Sequence, residues 1–199
     1  MDIKDSLVRL YVRKYIIPRA LIFDKPGFVD FKISGKTEIF ARQIILPEDF
    51  FVKFEQKIVE EFGEEGEKKL YSMGKIFGYS FAQQGRFENI KDHPGDKVKD
   101  WVVVASKFVE GTYASKITQR IDISKKTVDY TLKNFVICRK IGYDFIFAIG
   151  GAAGLIAWIL QDNKIEGVLY NSESIGEENI SRVKCAPPEI LQKSSKNKI

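Results

Sequence analysis

Cysteine and histidine are nearly absent from this chain of 199 residues: two cysteines, Cys138 and Cys185, and one histidine, His93. Two cysteines cannot build the disulfide framework of a small secreted domain. The expected compartment is therefore the reducing cytoplasm, with both thiols free or one held by a metal. His93 lies in the polar stretch ENIKDHPGDK (88–97), just before Pro94-Gly95. A lone histidine in such a loop is usually solvated, and it leaves nothing from which to assemble a nucleophile–base triad. The chain has no GxxxxGK[ST], HExxH, CxxC or GxSxG, so hydrolysis of the familiar kinds is not expected. A dinucleotide fingerprint also fails, because Ile149 stands where a glycine is needed two positions before Gly151.

Charge of one sign is scarce too. The formal net charge is +5, of which Lys193, Lys196 and Lys198 in the tail contribute three, leaving +2 for the rest. That is too weak a field to imply a nucleic-acid partner. No signal peptide is expected, since the first apolar segment, LVRLYVRKYII, is broken by Arg9, Arg13 and Lys14. The 16 residues Phe145–Leu160, bounded by Asp144 and Gln161, carry no charge. A bilayer span needs about 20. A helix apolar on every side but too short to span belongs in a protein core, so no membrane span is expected.

Around that run the chain falls into an α+β pattern. Residues 1–20 suit a strand or a helix about equally. From Arg19 to Pro47, three alternating segments separated by Lys25-Pro26-Gly27 and Ser34-Gly35 predict a small antiparallel meander. Pro47 and Glu48-Asp49 open a helix. It carries a stripe of Phe50, Phe51, Phe54, Ile58, Val59 and Phe62, and Gly63 closes it. A second helix follows, with Leu70, Met73, Phe77 and Phe81 on its apolar side. Gly74 and Gly78, one turn apart beside that side, leave room for another backbone to come close. A third helix is expected over about Lys97–Glu110, with Trp101, Val104, Ala105, Phe108 and Val109 inward and Gly111 at its end. Two strands follow, joined at Ser124-Lys125-Lys126, the second running on through Cys138. The uncharged helix over 144–161 then lies with Gly150, Gly151 and Gly154 against the sheet. A strand at Lys164–Tyr170, a polar loop SESIGEEN and a short strand ISRVKCA complete the order. The expected organisation is a β-rich segment over 1–47, a domain of mainly antiparallel sheet packed with helices over 48–191, and a disordered tail over 192–199.

Two sets of residues are candidates for chemistry. Cys138, Glu166 and Cys185 lie on or near neighbouring predicted strands, and thiolates with a carboxylate are zinc ligands. Three ligands are one short of a closed structural site, and buried cysteines otherwise behave as small apolar residues. Phe77, Phe81, Trp101, Phe108, Tyr143, Phe147 and Trp158 fall on or beside helices that share one sheet. They serve equally as core or as the lining of an apolar ligand site.

The segments LYSMGKIFGYSFA (70–82), NFVICRKIG (134–142) and FAIGGAAGLIAWIL with IEGVLY (147–170) resemble the 4-vinyl reductase domain family, and KCAPPEIL resembles the close of its stand-alone archaeal members. The resemblance covers about Gly63 to Leu191. It implies the fold shared with small subunits of the TRAPP vesicle-tethering complex and with haem-NO-binding domains. It also implies a small-molecule-binding, sensor-like domain for hydrocarbon or aromatic ligands, often dimeric. In aromatic-sensing members a zinc is held by cysteines and a glutamate. Cys138 and Glu166 match two of these, while Leu169, Tyr170 and Asn171 stand where a further cysteine would follow, so Cys185 is the candidate replacement. Three functions follow as expectations. The first is a homodimeric binder of a small apolar ligand between helices and sheet. The second is a vinyl reductase-type enzyme using an external reductant. The third is an interaction module working through the phenylalanine-striped helix 48–62.

Overall fold

The computed structural model describes residues 3–11, 14–15, 21–25, 28–32, 40–44, 47–84, 87, 89–92, 95–135, 145–176 and 178–196. In chain order these form α1 (Ile3–Tyr11), β1 (Leu21–Lys25), β2 (Phe28–Lys32), β3 (Phe40–Ile44), α2 (Glu48–Gln84), α3 (Asp96–Tyr113), β4 (Lys116–Asp122), β5 (Thr127–Lys133), α4 (Ile146–Leu160), β6 (Glu166–Ile175), β7 (Glu178–Ala186) and α5 (Pro188–Lys196). The ambiguous opening is thus helical over α1, which packs on α3. The expected meander is present: β1, β2 and β3 make a three-stranded antiparallel sheet in sequence order. The architecture is α+β, with a second, four-stranded antiparallel sheet in the order β4-β5-β7-β6 packed against helices.

α2 joins the two helices that the sequence separates at Gly63. The glycine bends the element rather than ending it, with φ 53° and ψ −135° inside the helix. A left-handed φ of this kind is open to glycine at little cost. Beyond the bend the buried positions are Gly66, Leu70, Gly74, Gly78 and Ala82, a ridge at four-residue spacing. Met73 and Phe77, placed on the apolar side by periodicity, are half exposed instead. The small residues win the buried face because only they let a neighbouring backbone approach.

That neighbour is α4. It is buried as expected, with Ala153, Leu155, Ile156, Ala157, Ile159 and Leu160 in the core. Its glycines, however, face α2 and not the sheet. A methyl built on Gly150 would overlap the Tyr71 carbonyl, and one on Gly154 the Lys75 carbonyl. Reciprocally, a methyl on Gly74 would overlap the Phe147 carbonyl, and one on Gly78 that of Gly151. The sheet meets α4 through another glycine, Gly167 of β6, which lies under Ile149 and Ala153. The inward sheet face supplies Ile117, Val128, Tyr130, Val183 and Cys185 to the same core.

Three boundaries move. α3 runs through Gly111 to Tyr113. β5 ends at Lys133, and Asn134 turns the chain with φ 45°. The polar stretch SESIGEEN is not a loop: β6 continues to Ile175 and β7 starts at Glu178, a long hairpin turning at Gly176 with φ 60°. Its polarity reflects one solvated face, along which Arg182 pairs with Glu173 at 2.7 Å. α5 covers the start of the lysine-bearing tail. Among the described residues no helix is long and apolar enough to cross a membrane.

Candidate functional site

The packing of α2 on α4 sets two neighbourhoods side by side. The first lies where α2 meets the edge strand β6. Tyr71 and Lys75 are one helical turn apart and share a face. The Tyr71 hydroxyl donates to Glu166 Oε2 at 2.6 Å and accepts the Gly167 N–H at 2.7 Å. Lys75 Nζ donates to Glu166 Oε1 at 2.6 Å and to the Asn163 carbonyl at 3.1 Å. Both carboxylate oxygens of Glu166 are therefore engaged. Burial, with Glu166 adding to it, pushes the Tyr71 hydroxyl well above the usual phenol range. Tyr71 accordingly stays protonated and acts as a bridge from helix to sheet edge rather than as an acid or base.

Cys185 stands opposite Gly167 in the neighbouring strand. It is fully buried, and burial first, then Asp129 and Glu166, pushes its thiol up. A zinc ion needs a thiolate and an open carboxylate oxygen. In this structure Cys185 is a buried thiol, and both oxygens of Glu166 are taken by Lys75 and Tyr71. Among the described residues no group of three or more His, Cys, Asp or Glu is placed to hold a metal. Cys138 and Tyr143 lie outside the described residues, as does the Phe108 side chain.

The second neighbourhood is aromatic. Phe51, Phe147, Phe77, Phe81, Phe87 and Trp101 form an unbroken row in which neighbouring ring centroids are 5.2–6.2 Å apart. Phe145 extends it, 5.6 Å from Phe51. Such spacings lie in the range where ring pairs attract beyond simple burial. The row unites Phe77, Phe81, Trp101 and Phe147 of the sequence candidates. Trp158 stands apart from that chain of rings: it meets Tyr79 edge-on at 5.3 Å and donates its indole N–H to the Phe87 carbonyl at 2.8 Å.

One charged residue sits among these rings. Glu55, one turn after Phe51 on α2, is 0% exposed. α4 begins without a cap of its own, because Phe145 at the N-cap has no side-chain acceptor. Glu55 supplies the acceptor from the other helix: its Oε1 takes the Phe147 N–H at 3.1 Å. Burial pushes its carboxyl up to about 7, outweighing the backbone N–H groups of Phe147 and Ile146, which favour the charged form.

Sequence reasoning passed over Glu55, Tyr71, Lys75, Phe87 and Phe145. Glu55 had a visible signal, as a charge within the apolar helix 48–62. Tyr71 and Lys75 flank Gly74 and could have been noticed as polar positions on a close-packed face. Their bond to Glu166, more than 90 positions away, left no local trace.

No protein-family model matches the chain, and no curated protein does. Solved structures do. The phenol-responsive sensory domain of the transcription activator PoxR, solved with phenol, superposes with a TM-score of 0.64 at 16% identity, over 95% of this chain and 92% of that one. Likeness at that identity shows a shared fold. Two structures from work on haem distortion, one naming the H-NOX family, give TM-scores of 0.48 and 0.45 at 8% identity. They cover 93% and 92% of this chain and 93% and 90% of theirs.

Proposed function

We propose that this chain is a small-molecule-binding domain of the sensor type, of the 4-vinyl reductase kind, that takes a mainly apolar ring-bearing ligand beside the α2–α4 seam. The observation that carries this is the continuous aromatic row from Phe51 to Trp101, drawn from α2, α4, α3 and the connection after α2. Rings from several elements meeting on one rigid helix pair offer stacking and edge contacts to an aromatic guest. The PoxR domain, alike in fold, responds to phenol, which supports an aromatic ligand class here. Charge balance at Glu166 comes from Lys75, so the proposal includes no resident metal.

Native mass spectrometry with elemental analysis, on protein purified without chelator, tests this. The expected result is a bound organic molecule, or saturable uptake of added toluene, with zinc well below one equivalent per chain. Apo mass alone with no toluene uptake contradicts the ligand, and one equivalent of zinc contradicts the metal-free site.

A dimer is part of the proposal. α2 exposes Phe50, Phe54, Phe62, Met73, Ile76 and Phe77, with Ile76 at 65%. Large apolar side chains gathered on one helix mark a contact surface. A second copy of this chain, apposing the same helix about a twofold axis, would cover it. Sedimentation should give a dimer that Ile76→Glu converts to monomer. A monomer at all concentrations removes this part alone.

A further inference from the structure

Glu55 is fully buried, yet its Oε2 has no hydrogen-bond partner among the described residues. A buried acceptor left unmet is costly, and native proteins keep few of them. Capping accounts for the other oxygen only. The Phe147 N–H reaches Oε1 at 3.1 Å, and an Asp or Asn could cap a helix start with less burial. Protonation does not remove the shortage, because it exchanges an unmet acceptor for an unmet donor. The surroundings narrow what could meet it. Phe51 sits one turn before Glu55, 5.6 Å from Phe145 and 5.2 Å from Phe147. A group arriving there must present a flat apolar body to the rings and one donor to the oxygen.

We propose that Glu55 Oε2 is the polar anchor of the ligand site, accepting a hydrogen bond from the hydroxyl or amine of an aromatic ligand seated against Phe51 and Phe147. This rests on the apolar-ligand proposal and adds a chemical class to it, an aromatic ring bearing one hydrogen-bond donor. The same carboxylate then joins two tasks, since it caps α4 with one oxygen and receives the ligand with the other. Occupancy of the site would thereby bear on the start of the helix that α2 grips.

The test is calorimetric titration of the full chain at about pH 8.5, where Glu55 is ionised and p-cresol is not, with three probes of similar shape: p-cresol, which donates; 4-methylanisole, which only accepts; and toluene, which does neither. The expected order is p-cresol tighter than either of the others by about tenfold, the value of one satisfied buried hydrogen bond. Glu55→Gln keeps an oxygen for the Phe147 N–H and turns an amide N–H₂ toward the ligand, so the preference for p-cresol over 4-methylanisole should vanish. Equal binding of all three probes by the wild type, or an undiminished p-cresol preference in Glu55→Gln, overturns the anchor and leaves the apolar-ligand proposal standing. No uptake of any probe overturns both. Should Glu55→Gln fail to fold, the ¹³C shift of the Glu55 carboxyl in the wild type decides: it should move on adding p-cresol and not on adding toluene, and an unmoved signal with saturating p-cresol overturns the anchor.

Discussion

Around Tyr71, Lys75, Gly150 and Gly154 the α2–α4 seam has no room for one added methyl, and both oxygens of the carboxylate beside it, Glu166, are met. Around Phe51, Glu55 and Phe147 the same two helices are faced with rings and enclose a carboxylate oxygen without a partner among the described residues. One helix pair thus has a sealed end and a chemically unfinished end. The sealed end holds α4 at a fixed distance from α2 and from the sheet edge. A binding site gains when its side chains ride on elements that cannot shift, and the glycine contacts supply that rigidity. The unfinished end is where an unmet group can be tolerated, because the rest of the seam is over-determined.

Breaking the sealed end should have the largest effect. Gly78→Ala drives a methyl into the Gly151 backbone, and with backbone on both sides neither helix can yield by a rotamer change. A loss of about 3 kcal/mol is expected in urea unfolding, at the upper end for overpacked sites. Tyr71→Phe should follow, at about 1–3 kcal/mol, because the Gly167 N–H and Glu166 Oε2 both lose their partner. Lys75→Met removes the cation from Glu166, but the pair is partly exposed. After allowance for solvent screening the expected loss is about 1 kcal/mol.

At the unfinished end the effect is one of pH. Glu55 is raised from 4.5 to about 7 by burial. A carboxyl raised by folding contributes stability that is full below its unfolded value and lost as pH climbs through its folded one. Stability should therefore fall between pH 5 and pH 8, and Glu55→Gln should flatten that slope in denaturant midpoints taken at both values. The smallest effect is expected at Gly151, whose added methyl would meet only Gly74 O at 3.8 Å and a Phe77 ring carbon at 4.0 Å. Gly151→Ala should lie within about 1 kcal/mol of neutral, since alanine favours the helix. A large loss there would show that the seam is tight along its whole length and would erase the difference between its ends.

Much of the scaffold was legible in the residues themselves. The uncharged run announced a buried helix, and Gly74 with Gly78 announced a close backbone. Which backbone was not legible. Periodicity reports how apolar a face is, and a glycine pair is silent about whether helix or strand lies opposite. Sequence pattern alone therefore lays the glycines of α4 against the sheet, whereas they meet α2. The hairpin at Gly176 was hidden by composition, because a strand with a wet face and a polar loop share the same residues. At the candidate site, the aromatic candidates Phe77, Phe81, Trp101 and Phe147 lie in one row, since ring-rich helices that pack on one another must bring rings together. In the sequence Glu166 reads as a metal ligand, and its neighbours in the fold are Lys75 and Tyr71, a juxtaposition that only the folded chain creates.

The central claim, that an aromatic guest lodges at the ring-lined end of the seam, is tested most directly by titrating isotope-labelled protein with toluene and following backbone amides. Saturable shifts centred on Phe51, Ile146 and Phe147, with Gly78 and Gly154 still, are the expected result. Shifts that never saturate, or that centre on the sealed end, would contradict it.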